Sequence, residues 1–243
     1  MNLLIDIGNS MVKIALANGD TLQPELHTSY EDITPFLNRL LVKHPSIKRA
    51  IISSVGKPVE KSIKDLLNGK QIPTILFDAE TPIPIKNNYA TKSTLGSDRL
   101  AAAIGAWALY PGQNTLSIDC GTALTYEMVT AQGVYLGGNI APGMQMRFKA
   151  LHEFSARLPL VEADSDFSFY GKTTQEAIRA GVINGIIFEI ERYIDETSNK
   201  YPDLKVILTG GDAFFFVKQL KKTIFVVSNL ILVGLNRILE YND

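Results

Sequence analysis

Two short stretches of the sequence combine an acid, a glycine and a hydroxyl residue in the same order. Residues 5–10 read IDIGNS and residues 118–123 read IDCGTA. A glycine turn lets the chain reverse tightly and leaves backbone N–H groups uncovered, so that they can bind an anion such as a phosphate. A carboxylate beside a phosphate needs a cation between them. The pattern therefore predicts a nucleotide–metal site.

The simpler interpretation is a hairpin whose aspartate accepts N–H groups of the turn. That interpretation explains one such turn well. It explains less well two turns in matching positions, together with a third glycine turn, TGGDA, at 209–213.

A second group of residues that could do chemistry lies in LGSDRLAAA at 95–103. Asp98 stands at the start of a predicted helix, where free N–H groups and the helix dipole stabilise a carboxylate. Asp98 could accept a hydroxyl proton, and Arg99 beside it could hold an anionic group. The alternative is a helix cap followed by a surface arginine. The long polar segment before it, NNYATKSTLG, is typical of a loop that faces a substrate.

The elements that must position these residues run in roughly the same order twice. Each half opens with a strand, an acidic turn and a second strand, and goes on with helices and further strands. We therefore predict an α/β fold built from two duplicated domains, 1–114 and 115–243, with ligands at the carboxyl ends of the strands and between the domains. Helices are predicted at 31–43, 58–69, 96–112, 171–200, near 212–220 and at the C-terminus. Strands are predicted at 2–7, 11–18, 49–55, 73–78, 115–119, 123–129 and 133–140, in KVILTGGDA at 205–213, where the strand ends in a glycine pair, and as a short strand before the C-terminal helix. Residues 79–95 are predicted to form an extended loop.

The composition of the chain argues against nucleic-acid-binding and membrane proteins. The chain has 243 residues, of which 46% are hydrophobic and 20% are charged, and its formal net charge is −1. This balance gives no electrostatic support for nucleic-acid binding. No run approaches the ~20 apolar residues that span a bilayer, and Asp6 interrupts the first apolar run before a signal-peptide pattern can form. A single cysteine, Cys120, favours the reducing cytoplasm. We expect a cytoplasmic protein with neither nucleic-acid nor membrane partners.

Seven motifs in order carry a resemblance that covers essentially the whole chain: DIGNSMVK, NNY, GSDR, DCGTALT, GGNIAPG, GKTTQEA and TGGDA. The set resembles the bacterial type III pantothenate kinases. That family belongs to the acetate-kinase, sugar-kinase, Hsp70 and actin superfamily, whose duplicated ribonuclease-H-like halves clamp ATP between them. The resemblance implies phosphorylation of pantothenate by ATP and Mg²⁺, the first step of coenzyme A biosynthesis, by a homodimer.

The resemblance also implies roles for individual residues. Asp98 matches the catalytic base. Asp119 matches the residue that binds a monovalent cation, K⁺ or NH₄⁺. The residues implied to bind ATP are Asp6, Ile7, Gly8, Asn9, Ser10, Met11, Val12, Lys13 and Thr122, with Asp6 near the metal–phosphate group. Those implied to bind pantothenate are Tyr89, Gly96, Ser97, Asp98, Arg99 and Thr174. Ser10 replaces the usual threonine of the family motif; it keeps the hydroxyl, so we expect little functional change.

Three alternative functions remain open at the level of sequence. The first is another kinase of the same superfamily, acting on a sugar or a carboxylic acid. The second is a nucleotide-binding regulatory protein without turnover. The third is an actin-like ATPase or assembly module, which hydrolyses ATP without an acceptor.

Overall fold

The computed structural model describes residues 1–56 and 58–243. Within these residues the strands form two sheets of six strands each. Helices cover the outer face of each sheet, and two further helices lie between the sheets. The layers therefore run helix, sheet, helix, sheet, helix.

The first sheet is built around β1 (Asn2–Ile7), which pairs antiparallel with β2 (Val12–Asn18) and parallel with β5 (Arg49–Ser54). The short strands β3 (Thr21–Leu22) and β4 (Leu26–Thr28) pair with β2, and β6 (Thr74–Leu76) pairs with β5. Alternate residues of β1 face outward, where α1 (Ile33–Lys43) and α2 (Glu60–Gly69) bury Leu37 and Leu67 against them.

The second sheet repeats this arrangement and extends it. Its strands are β8 (Thr115–Cys120), β9 (Ala123–Val129), β10 (Val134–Pro142), β11 (Lys205–Thr209), β12 (Phe225–Val226) and β7 (Lys86–Asn87). Strand β8 pairs antiparallel with β9 and parallel with β11, as β1 does with β2 and β5. The outer face packs on α4 (Met144–Glu153), α5 (Thr174–Lys200) and α6 (Ala213–Val217).

Helices α3 (Ser97–Leu109) and α7 (Leu230–Tyr241) form the layer between the sheets. Helix α3 packs on β8, β9 and β5, and α7 packs on β1, β2 and β5. Their shared core includes Leu4 of the first sheet and Ile207 of the second. The start of α3 therefore lies where both sheets can determine its position.

The predicted α/β class and both strand–turn–strand units are confirmed. The predicted bounds differ in places, since α2 begins at Glu60, α3 ends at Leu109 and α6 is short. Helix α4 was not predicted at all. The segment 79–95, predicted as a loop, contains β7 and a 3-10 turn at Lys92–Thr94. None of the helices in the described part of the chain has the length and apolar character that crossing a bilayer requires.

Candidate active site

The two acidic turns meet in the structure. Ser10 Oγ in the β1–β2 turn lies 3.4 Å from Thr122 Oγ1 in the β8–β9 turn. Ile7 and Val12 close the first hairpin as a buried pair, whereas Asn9, Ser10 and Met11 at its tip are exposed. The backbone and hydroxyl donors of both turns therefore border one cleft between the halves.

Asp6 is a buried carboxylate with an unsatisfied oxygen. It is 3% exposed, and its Oδ1 has no hydrogen-bond partner. Burial raises the pKa of Asp6 to about 7; the nearby Asp98 and Asp119 add to the rise, and Lys13 opposes it. A buried carboxylate oxygen without a partner is costly unless a cation binds it. Asp6 thus fits a cation that arrives from the cleft.

Asp119 occupies the matching position in the second half, in a different environment. It keeps partial exposure to solvent. Loss of hydration around the carboxylate nevertheless raises the pKa of Asp119 to about 6. Lys13 lowers this pKa, whereas the charges of Asp98 and Glu127 raise it further. Gly210, at φ +91°, lies against this carboxylate, since a Cβ there would collide with Asp119 Oδ1 and with the backbone of Cys120.

The first half has a counterpart of Gly210 that the sequence patterns did not single out. Gly56 follows β5 as Gly210 follows β11. A Cβ on Gly56 would collide with the carbonyl oxygen of Gly8, which also accepts a hydrogen bond from the Tyr30 hydroxyl. In both halves, a glycine after the neighbouring parallel strand allows close packing against the acidic turn.

Asp98 lies in the first turn of α3. Its Oδ1 accepts the backbone N–H of Arg99 at 2.7 Å, and a Cβ on Gly96 would lie 2.6 Å from the same oxygen. Burial raises the pKa of Asp98, while the Arg99 N–H and the Arg99 charge lower it. Ser97 Oγ lies 3.0 Å from Ser53 Oγ and so ties this turn to β5. The carboxylate is oriented and more basic than a free aspartate.

The three aspartates share one cleft without forming a closed metal site. Among residues 1–56 and 58–243, no group of three His, Cys, Asp or Glu side chains could hold a metal ion by itself. Magnesium commonly takes one or two carboxylates together with waters and substrate phosphates. The donor set here fits that kind of site, and Oδ1 of Asp6 is a carboxylate oxygen that no protein group occupies.

The guanidinium of Arg99 is buried and paired. Its Nε and Nη2 donate to Glu127 Oε1 at 2.5 Å and Oε2 at 3.0 Å, and Tyr135 donates to Oε2 at 2.5 Å. The Tyr89 ring stacks on Tyr135 and lies under the guanidinium, 5.8 Å from it. Sequence reasoning named Tyr89 and Arg99 and missed Glu127. The signal for a buried partner was an acid inside the mostly apolar strand segment ALTYEMV.

Thr174 makes no hydrogen bond or ion pair with Tyr89, Asp98 or Arg99 in the described part of the chain. It is exposed in the first turn of α5, beside Thr173, whose hydroxyl accepts the Glu176 N–H at 3.3 Å.

Comparison with known proteins identifies the family. The family model for type III pantothenate kinase matches residues 2–196. A type III pantothenate kinase of Phocaeicola vulgatus is 46% identical over 243 residues, covering 100% of this chain and 99% of the relative. A crystal structure from Campylobacter jejuni, described as a Baf family transcriptional activator, has a TM-score of 0.68 at 23% identity and covers 99% of this chain and 98% of that one.

A structure from Listeria monocytogenes, described as an N-acetylmannosamine kinase, has a TM-score of 0.57 at 13% identity and covers 100% of this chain and 99% of that one. These two likenesses show the fold alone. They agree with the duplicated ribonuclease-H-like architecture of the actin-like ATPases and sugar kinases. The family model and the full-length relative together show that this chain belongs to the type III pantothenate kinases.

Proposed function

We propose that the chain phosphorylates pantothenate with ATP and Mg²⁺, the first step towards coenzyme A, with Asp98 as the base. Membership of the family makes the chain a kinase. The observation that carries the assignment of roles is the meeting of both acidic turns with the first turn of α3. Asp98 and Asp119 both raise the pKa of Asp6, and Asp98 also raises the pKa of Asp119, which supports three carboxylates close together at that cleft.

ATP would be held by the two glycine turns. The proposed contacts are Asp6, Ile7, Gly8, Asn9, Ser10, Met11, Val12, Lys13 and Thr122. The 3.4 Å approach of Ser10 to Thr122 supports a phosphate chain that both hydroxyls can reach. Magnesium would supply neutralisation of the phosphate charge, which phosphoryl transfer requires. The unpartnered Oδ1 of Asp6 supports this residue as its ligand.

Pantothenate would lie against Tyr89, the turn formed by Gly96, Ser97, Asp98 and Arg99, and Thr174. Its primary hydroxyl attacks the γ-phosphorus, a new O–P bond forms, and the bond from that phosphorus to the β–γ bridging oxygen breaks. The hydroxyl proton passes to the Asp98 carboxylate, and ADP leaves. Burial raises the pKa of Asp98, which makes it a better base near neutral pH.

Asp119 would bind the monovalent cation, K⁺ or NH₄⁺. The raised pKa of this partly exposed carboxylate supports a cation site, because a bound cation would favour the ionised form. Gly210 leaves no room for a side chain beside Asp119 Oδ1, and Gly121 leaves little, because a Cβ there would lie 3.1 Å from the same oxygen.

A homodimer is also part of the proposal. Large apolar side chains are exposed on β10, just after α4, on α5 and in the segment before α5: Leu136, Ile140, Phe154, Phe169, Tyr170 and Phe188. Single exposed apolar residues are common, but the rings of Phe169, Tyr170 and Phe188 also contact one another, which supports an interface at this face. Phe188→Glu is expected to give a particle of 26.8 kDa where the unaltered chain gives twice that mass in analytical ultracentrifugation. A monomer with the unaltered sequence would contradict the dimer.

We further propose domains at 1–114 and 115–243 and a cytoplasmic location. All strands of the first sheet precede residue 115, and those of the second follow it apart from β7. Cys120 is buried as a free thiol, as suits a reducing compartment.

The decisive experiment measures ADP release with ATP and Mg²⁺, with and without pantothenate, in K⁺ and in Na⁺ buffer. Release that depends on pantothenate and is faster in K⁺ supports the proposal. Release that needs a sugar or another carboxylic acid favours a different kinase, and release without any acceptor favours an ATPase. Nucleotide binding without turnover, with salt-dependent retention on DNA, favours a regulatory protein.

Asp98→Asn tests the base. Loss of a general base costs about 10²–10⁴-fold in rate, so we expect at least a hundredfold fall in kcat. Asp65→Asn, an exposed acid on α2, is the control and should leave kcat unchanged. Turnover of Asp98→Asn close to that of the control would remove Asp98 from the role of base.

A further inference from the structure

The first turn of α3 carries Asp98 but has no capping side chain at its N-cap position, which is Gly96. The Asp98 carboxylate itself accepts one of the free N–H groups of this turn, that of Arg99. A helix start without an N-cap side chain is held less firmly. The orientation of Asp98 therefore depends on what else anchors this turn.

Arg99 anchors the turn by making two kinds of contact. Its backbone N–H donates to Asp98 Oδ1 at 2.7 Å. Its guanidinium makes the two parallel bonds to Glu127 on β9. Bidentate pairing fixes the plane of the guanidinium as well as its distance from the carboxylate. Any rotation of Arg99 about this pair would move the N–H that holds Asp98.

Glu127 is itself held firmly. Its side chain is 1% exposed, in the middle of β9. The Tyr135 hydroxyl donates to its Oε2, and Gly138 leaves the space for that oxygen, because a Cβ there would collide with it. A carboxylate fixed on the second sheet can therefore set the position of the helix turn that packs against it.

We infer that Glu127 is a positioning residue for the reaction: through Arg99 it fixes the first turn of α3 and the aim of the Asp98 carboxylate. The inference rests on the proposed function, in which Asp98 takes the hydroxyl proton. Alignment of a base matters most in the transition state, so its loss lowers kcat more than it changes ATP binding.

A matched variant elsewhere in the chain separates positioning from the cost of breaking an ion pair. Glu240 on α7 accepts from Arg49 Nη2 at 3.2 Å and from Asn2 Nδ2 at 2.6 Å, at the opposite end of β1 from Asp6. Glu240→Gln breaks an Arg–Glu pair far from the cleft. Glu127→Gln breaks the pair that holds the start of α3.

The test measures kcat and the KM for ATP of the two variants, alone and combined with Asp98→Asn. We expect Glu127→Gln to lower kcat at least tenfold with the KM for ATP within twofold, and Glu240→Gln to change neither by more than twofold. Residues that act as one unit are non-additive. Glu127→Gln should therefore lower the residual kcat of Asp98→Asn by less than twofold.

Tyr135→Phe covers the case in which Glu127→Gln does not fold. It removes only the hydroxyl that donates to Glu127, and we expect about a threefold fall in kcat that vanishes beside Asp98→Asn. Three results would overturn the inference. Glu127→Gln could have the same kcat as Glu240→Gln, or its KM for ATP could rise as much as its kcat falls. Glu127→Gln could also lower kcat equally in the unaltered chain and in Asp98→Asn. Absence of pantothenate-dependent turnover in the unaltered chain, or an unaffected Asp98→Asn, would overturn the proposed function instead.

Discussion

The first and second acidic turns share a sequence pattern but not an environment. Asp6 is buried, and its Oδ1 has no partner. Asp119 keeps some exposure, and its carboxylate lies against Gly210 and Gly121. The pKa is raised to about 7 in the first case and about 6 in the second. Two turns of similar sequence thus hold their carboxylates in different packing, which supports the proposal that they bind different cations.

The largest expected difference between the turns is in turnover. Asp6→Asn removes the proposed ligand of the metal–phosphate group, and loss of such charge stabilisation costs about 10²–10³-fold. We expect a fall of that size in pantothenate-dependent ADP release, and a smaller fall with loss of the K⁺ response in Asp119→Asn. Asp20→Asn, an exposed acid beyond β2, is the control. Equal K⁺ dependence in both aspartate variants would break the proposed division of roles.

Asp6→Asn, which should lower turnover, should raise the stability of the ligand-free chain. The pKa of Asp6 is raised, so the folded chain keeps a proton that the unfolded chain releases near pH 4, and stability falls as the pH rises from about 4 to 7. Asp6→Asn removes this loss, which amounts to at most about 4 kcal/mol above pH 7 at 1.36 kcal/mol per pKa unit. Its gain in Tm should therefore grow between pH 4 and pH 7 and stay constant above.

Thermal unfolding across pH measures this gain, with Asp20→Asn as the control. In Asp119→Asn the gain should be smaller and level off near pH 6, since the pKa of Asp119 is raised less. A Tm difference that is independent of pH in Asp6→Asn would contradict the buried, uncompensated carboxylate. Addition of Mg²⁺ and ATP should stabilise the unaltered chain more than Asp6→Asn.

The glycines around the turns should differ in their tolerance of a methyl group. Gly210→Ala places a Cβ against Asp119 and the backbone at φ +91°, a conformation that costs of order 1–3 kcal/mol for other residues. Gly8→Ala meets only Met11 O at 3.5 Å, an ordinary contact. We expect Gly210→Ala to lower the denaturant midpoint clearly and to weaken the K⁺ response, and Gly8→Ala to change stability little. The reverse order would contradict the packing described here.

The smallest effect is expected at Ser10. Ser10→Thr adds one methyl at the exposed tip of the first turn and keeps the hydroxyl near Thr122. Surface changes of this kind usually stay within ±0.5 kcal/mol, and we expect kcat within twofold of the unaltered chain. Ser10→Ala, which removes the hydroxyl, is the comparison. A tenfold effect of Ser10→Thr would show that the methyl group itself matters to the turn.

Periodicity and turn residues in the sequence were sufficient to predict most helices and strands. The hairpins at 2–18 and 115–129 and the long helix α5 have strong periodicity and clear turn residues, and they form as predicted. Helix α4 was missed because it has no capping side chain and follows a glycine- and proline-rich segment, GGNIAPG. Strand β7 was missed because two residues carry no periodicity, and they become a strand only by pairing with β10.

The sequence by itself determined the α/β class, the two acidic turns and the motif set that marks the family. Each of these depends on residues close together in the chain, where turn chemistry and periodicity act. Only the tertiary structure decided that Oδ1 of Asp6 has no partner, that Gly56 matches Gly210, and that Glu127 holds Arg99. These depend on burial and on contacts between distant segments, and both arise only when the two sheets close around α3 and α7.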